Sequence, residues 1–197
     1  SDPYQRFTWG APPPKQGDYA FLLHIIRSMK SNGKAACILP HGVLFRGNAE
    51  AVIRKELVKS GFLKAIIGLP ANLFFGTSIP ACILVLDKEN ASSRKGIFMI
   101  DARKNFRKDG PKSRLREQDI HKIVDTINNF VEIQGYSKMI TFTEISDPKN
   151  DFNLNLPRYI ESSEPEDTQS IDGHLRGGIP EFDVDQLNSY WKVFPSI

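Results

Sequence analysis

The chain is poor in the residues that build metal-stapled or disulfide-stapled folds. Its 197 residues include only two cysteines, Cys37 and Cys82, and four scattered histidines, His24, His41, His121 and His174. None of these has the spacing of a zinc site, so no metal is expected. Both cysteines fall in apolar, strand-like runs and read as buried free thiols of a cytoplasmic protein. Long apolar runs are missing as well. None approaches the ~18–20 residues needed to span a bilayer, and the first residues carry no charged-apolar-small leader, so no membrane partner is expected.

What is present is a globular composition, 40% hydrophobic and 25% charged, enough for one or two domains with a real core. The net charge of +3 is unevenly placed. Arg94–Arg116 holds nine Lys/Arg against Asp101 and Asp109, and Glu161–Asp185 holds eight Asp/Glu against Arg176. A basic block of this density reads either as a polyanion-binding surface or as a solvated loop.

Apolar spacing predicts a helix over Tyr19–Lys30 with Asp18 as N-cap and Gly33 as stop. A fully apolar strand, Ala35–Leu39, follows; its lack of alternation predicts burial on both faces. A second helix runs from Asn48 to Ser60, closed by Gly61, with Glu50 expected to pair with Arg54. Strands are predicted at Leu63–Leu69, Ala81–Leu86 and Ile97–Ile100, the first two joined without a helix and therefore antiparallel. A helix over Leu115–Phe130 places Ile120, Ile123, Val124 and Ile127 on one face. Residues 139–160 read as extended, Ser162–Gln169 as an acidic linker, and Asp183–Val193 as an amphipathic helix. The helix-strand-helix-strand order is the rhythm of an α/β sheet.

Open α/β sheets bind ligands beyond the carboxyl ends of their strands. Two strands here end at proline, CILP and IIGLP, and the loops that follow, HGVLF (41–45) and ANLFF (71–75), both carry phenylalanine. The adjacent pair Phe74 and Phe75, in a loop of turn residues, is either a plug for the core or a surface that stacks on a flat ligand.

Three sets of strings carry a family resemblance. They are DYAFLLHIIRSMKSNGKAACILPHGVLFRG (18–47), IIGLPANLFFGTSIPACILVLDK (66–88), and the pair DFNLNLPRY (151–159) and IDGHLRGGIP (171–180). Together they resemble the modification subunit of type I restriction-modification systems, adenine-specific DNA methyltransferases that use S-adenosylmethionine. The resemblance implies the C-terminal half of a Rossmann-like methyltransferase sheet over 1–110. A helical and extended extension would occupy 111–160, an acidic linker 161–170 and a helical segment 171–197. It implies that Phe74, with Phe75 as its neighbour, stacks on an adenine turned out of the duplex, because a methyl donor cannot reach a stacked base. It makes Phe21 a wall for the cofactor's adenine. Arg103, Lys104, Arg107 and Lys108 would contact DNA phosphates, and Tyr190, Trp191 and Phe194 would meet a partner subunit or pack on their own domain.

The chain departs from the family pattern at the chemistry itself. It contains neither the glycine-rich cofactor loop nor the Asn-Pro-Pro-aromatic tetrapeptide, and APPP (11–14) lacks the Asn amide. Residues 1–197 are therefore expected to be the C-terminal part of such a subunit, inactive alone and holding no S-adenosylmethionine, with the parent acting on DNA beside specificity and restriction subunits. The strand Ala35–Leu39 would then have an open edge, covered by residues 1–17 or by self-association. The competing readings are a non-catalytic DNA- or partner-binding module and a methyltransferase of the same clan acting on RNA or protein.

Overall fold

The computed structural model describes residues 2–161 and the isolated positions 175, 177, 179, 184 and 185. The chain divides into two compact units, Ser1–Ser162 and Ser163–Ile197. The expected acidic linker and the aromatics Tyr190, Trp191 and Phe194 lie outside the described residues, as does all but two positions of the helix expected over Asp183–Val193.

The first unit is built from α1 (Asp18–Ser28), β1 (Lys34–Pro40), a 3-10 turn (His41–Leu44), α2 (Ala49–Lys59), β2 (Leu63–Gly68), β3 (Ala81–Asp87) and β4 (Gly96–Asp101). A short hairpin, β5 (Arg107–Asp109) and β6 (Lys112–Arg114), is followed by α3 (Glu117–Asn129), β7 (Ser137–Thr141) and α4 (Phe142–Ser146). The main sheet has the order β1-β3-β2-β4-β7. β2 pairs parallel with β4, and β3 lies antiparallel between β1 and β2, as expected from the helix-free connection. β1, β2 and β4 therefore run the same way and end at one rim.

Each face of the sheet has its own core. On one, Tyr19, Leu22 and Ile26 of α1 and Ile53, Leu57 and Val58 of α2 pack on Ile66, Leu84 and Met99. Leu154, Leu156 and Tyr159 of the DFNLNLPRY string close the same cluster. On the other face, Ile123 of α3 and Tyr136 cover Ala65, Ile67, Phe98 and Ile100. Each fully buried large aliphatic or aromatic side chain contributes ~1.5–3 kcal/mol. Both cysteines are free and buried, and burial pushes the Cys82 thiol up to about 12.

Tertiary contacts correct several local expectations. β1 is an edge strand with one buried face only: Cys37 and Leu39 point into the core, whereas Ile38 is 54% exposed. The reason is that α3 seats on β2 and β4 while β1 is the outermost strand. Asp18 does not cap α1; Gly17 is the N-cap, and the Asp18 carboxylate accepts from Arg46 at 2.5 Å. Gly33 is not the helix stop either, since α1 ends at Ser28 with Met29 as its cap. Glu50 pairs with Arg46 rather than Arg54, because Arg54 is drawn to backbone carbonyls. On α3 the buried side is Asp119, Ile123 and Thr126, leaving Ile120 and Val124 exposed. There Asp119 accepts from the backbone N–H and guanidinium of Arg116 as a capping box, and Ile123 and Ile127 enter the core beside it. The segment 139–160 is likewise more ordered than expected, with most of β7 and all of α4 at its start.

Among the described residues, the outer edge of β1 has no strand partner. No backbone hydrogen bond among the described residues joins residues 2–17 to it. Their aromatics pack on the helical face, Trp9 against Phe62 at 6.1 Å between ring centroids, and Gly10 sits against Ile53.

Candidate nucleic-acid interface

The rim where β1, β2 and β4 end is tied together by backbone bonds. His41 N–H donates to Pro80 O at 2.9 Å, Leu69 N–H to Ala81 O at 2.9 Å, and Ala102 N–H to Gly68 O at 3.0 Å. Gly68 lets Leu156 pack directly on the backbone there, since a Cβ would lie 2.3 Å from Leu156 Cδ1 and force that side chain to shift. α1 starts at the same rim: Tyr19 Oη donates to Val43 O at 2.8 Å and Arg46 grips Asp18 and Glu50. Thus the helix bearing Phe21, the loop after β1, the loop after β2 and the end of β4 converge.

Phe21 is 71% exposed, on the side of α1 opposite Tyr19, Leu22 and Ile26. It is not part of the core. Its ring presents a flat apolar face to solvent. Among the described residues no group of three or more metal-ligating side chains occurs, and no helix is long and apolar enough to cross a membrane.

The β2–β3 loop turns on Asn72 (φ +57°) and Gly76 (φ +77°). Phe74 is 37% and Phe75 94% exposed, so neither plugs the core. The basic segment is not a loose loop. Residues 107–114 fold back as β5–β6 with Arg107 opposite Arg114 and Asp109 opposite Lys112; Gly110 (φ +58°) takes the turn position a side chain would strain. This hairpin is fastened to the aromatic loop. Ser113 N–H donates to Asn72 O at 3.0 Å, Lys112 Nζ donates to Phe74 O at 2.7 Å, and the same ammonium lies 5.6 Å from the centre of the Phe75 ring. Two features that look separate in the sequence are one unit in space.

The four basic residues differ in setting. Arg107, Lys108 and Lys104 are exposed. Arg103 is turned inward, its Nε and Nη2 each 2.7 Å from an oxygen of the buried Asp101 carboxylate, a pairing that raises its own pKa. Sequence reasoning misses Lys112 because only its position in the hairpin distinguishes it; the Gly110-Pro111 turn between two short runs is the available signal.

Sequence reasoning also misses His41. It follows the proline that ends β1, is 6% exposed, and its Nε2 meets no hydrogen-bond partner among the described residues. Burial, and then the positive charge of Arg103, lower its pKa from 6.5 to about 4, with Asp101 opposing. A histidine whose folded pKa is depressed binds its proton more readily when unfolded. Its contribution is therefore complete above about pH 6.5 and is lost as the pH falls towards 4, by on the order of 2–3 kcal/mol. The difference in unfolding midpoint between His41→Gln and the parent chain should shrink or reverse in favour of the variant from pH 7.5 to pH 4.5. A difference that does not change with pH contradicts this.

The mixed α/β fold has known counterparts. The type I restriction-modification methyltransferase subunit from Streptococcus thermophilus superposes with a TM-score of 0.75 at 41% identity, over 82% of this chain and 34% of that one. The EcoKI M protein shares the fold at a TM-score of 0.60 and 16% identity, over 76% of this chain and 38% of that one. In sequence, the MjaVII methylase subunit of Methanocaldococcus jannaschii is 37% identical over 184 residues, 91% of this chain and 30% of that subunit. The HindI methylase subunit of Haemophilus influenzae is 35% identical over 171 residues, 82% of this chain and 38% of that subunit. Residues 1–168 match the family described as N-6 DNA Methylase, and the chain belongs to that family. It spans about a third of the length of these relatives.

Proposed function

We propose that this chain is the DNA-facing, C-terminal portion of the modification subunit of a type I restriction-modification system. Its parent would transfer a methyl group from S-adenosylmethionine to adenine N6 in DNA, beside specificity and restriction subunits. The observation that carries the reading is the exposed Phe74–Phe75 loop at the carboxyl rim of β1, β2 and β4, bonded to a basic hairpin. Phe74 stacks on the adenine turned out of the duplex, with Phe75 beside it. Phe21 walls the cofactor's adenine. Arg103, Lys104, Arg107 and Lys108 lie towards the phosphates, with Arg107 and Lys108 best placed because they are exposed on β5. The groups that hold the reacting amine are supplied from outside residues 1–197, in which no Asn-Pro-Pro occurs.

Charge removal tests the DNA interaction. Each duplex phosphate that a protein ceases to neutralise flattens the slope of log affinity against log salt by about 0.9. Arg107→Ala with Lys108→Ala in the assembled modification complex should flatten that slope by about 1–2. An unchanged slope rejects phosphate binding by this segment. Arg103→Ala is the less informative variant, since it first breaks the pair with Asp101.

The open edge of β1 supports self-association of the 197-residue chain. A second copy would add its own edge strand there, and Ile38 on the uncovered face would be buried with it. Ile38→Lys should shift the chain to monomer in light scattering at micromolar concentration. A parent chain already monomeric under those conditions contradicts this.

A further inference from the structure

The β5–β6 hairpin contains an arrangement that costs stability in the free protein. Arg107 and Arg114 are register partners in an antiparallel pair, and side chains directly opposite each other point to the same side. Like charges at directly opposite positions repel. Among the described residues, the carboxylate that pairs with this couple is Asp109, 3.4 Å from Arg114, and both side chains of that pair are more than half exposed. Such a pair is worth little. An anion held between the two guanidiniums would remove the repulsion and accept their planar N–H forks, a geometry suited to a phosphate diester.

The hairpin is also positioned. Lys112 lies on the same strand as Arg114, reaches across to the β2–β3 loop, bonds Phe74 O and places its ammonium over the Phe75 ring. The adjacent Ser113, itself buried, holds Asn72 O through its backbone N–H. These contacts tie the loop that bears the rings to the hairpin that bears the arginine pair.

We propose that Arg107 and Arg114 form a phosphate pincer which Lys112 locks to the Phe74–Phe75 loop, so that one unit holds both the backbone and the unstacked base of a single DNA strand. This rests on the DNA reading above and adds Arg114 as a phosphate ligand and Lys112 as a positioning residue. Binding of the backbone fixes where the rings stand, and the rings meet a base only at a set distance from the gripped phosphate.

Two measurements test it. Hydrogen exchange of the full chain without DNA reads the lock: Lys112→Met, which keeps the apolar stem, should speed exchange of the amides of residues 72–79 about tenfold. Arg107→Ala with Arg114→Ala should leave those amides as they are. Unchanged exchange in Lys112→Met overturns the lock whether or not the chain binds DNA. Duplex binding by the assembled complex reads the pincer: Arg114→Ala and Arg107→Ala should each flatten the salt slope by about 0.9, and the double variant by about the same amount, because the two hold one phosphate, so changes that add overturn the pincer. A slope that responds to Arg107 but not to Arg114 overturns the pincer while leaving the DNA reading intact. A slope that responds to neither overturns both.

Discussion

Replacing Arg54 with alanine should destabilise the chain by about 3–5 kcal/mol, the cost of removing a buried charged donor from its partners. The Arg54 side chain rises from α2 into a site where it is 2% exposed. Its Nε donates to Phe152 O at 2.8 Å, and its Nη1 to Val43 O at 3.2 Å and Arg46 O at 2.7 Å. One guanidinium thus joins the loop after β1 to the DFNLNLPRY string, whose Phe152 lies 98 residues beyond Arg54. Its removal leaves three carbonyls without this donor and disconnects the segment whose Leu154 N–H bonds Leu44 O. Lysine should rescue little, because a single ammonium cannot match a planar fork aimed at separate acceptors. Thermal unfolding should move by roughly 10 °C, at ~2–4 °C per kcal/mol for a unit of this size. A shift of under about 2 °C would show that these carbonyls find other donors.

The second large effect falls on function and spares stability. Phe74→Ala should weaken the hold on an extrahelical adenine by about 5- to 150-fold, the equivalent of ~1–3 kcal/mol of stacking. Phe75→Ala should cost less if Phe74 makes the main contact and Phe75 is its flank. Tyrosine at position 74 should retain most of the effect and leucine should not, because a stacked base needs a flat face rather than volume. Folding should change by no more than about 0.5 kcal/mol for Phe75→Ala, since its ring is 94% exposed. Methyl transfer by the assembled complex should fall with base holding while duplex affinity, set by phosphate contacts, stays within a few-fold. Parallel losses of both would place Phe74 in the duplex interface instead.

The larger architecture is legible in the sequence because its signals are redundant. The runs Leu63–Leu69 and Ala81–Leu86 are largely apolar, bounded by turn residues and separated by no helix, and every one of those features points to the antiparallel pair that the structure shows. Gly61 closes α2 at φ +69°, as its position suggests. The misleading positions have one local signal and a stronger distant partner. Asp18 has the chemistry of an N-cap, but Arg46, 28 residues away, takes its carboxylate. Glu50 and Arg54 have helical ion-pair spacing, yet Arg46 claims one and backbone carbonyls the other. β1 reads as fully buried because composition cannot say whether a neighbouring layer reaches it. At the site, the aromatic loop and the basic run are each visible, but their union depends on Lys112 and Ser113 crossing between segments about 40 residues apart, which no spacing rule encodes.

The most direct measurement of the central claim is fluorescence of 2-aminopurine placed at the methylated adenine of a duplex bound by the assembled modification complex. The base should leave the stack in both forms of the complex. Stacking on Phe74 should hold the emission down in the parent complex, and Phe74→Ala should brighten it several-fold at saturating protein. Equal emission from the parent and the variant, with DNA bound in both, would contradict a base-stacking role for the loop.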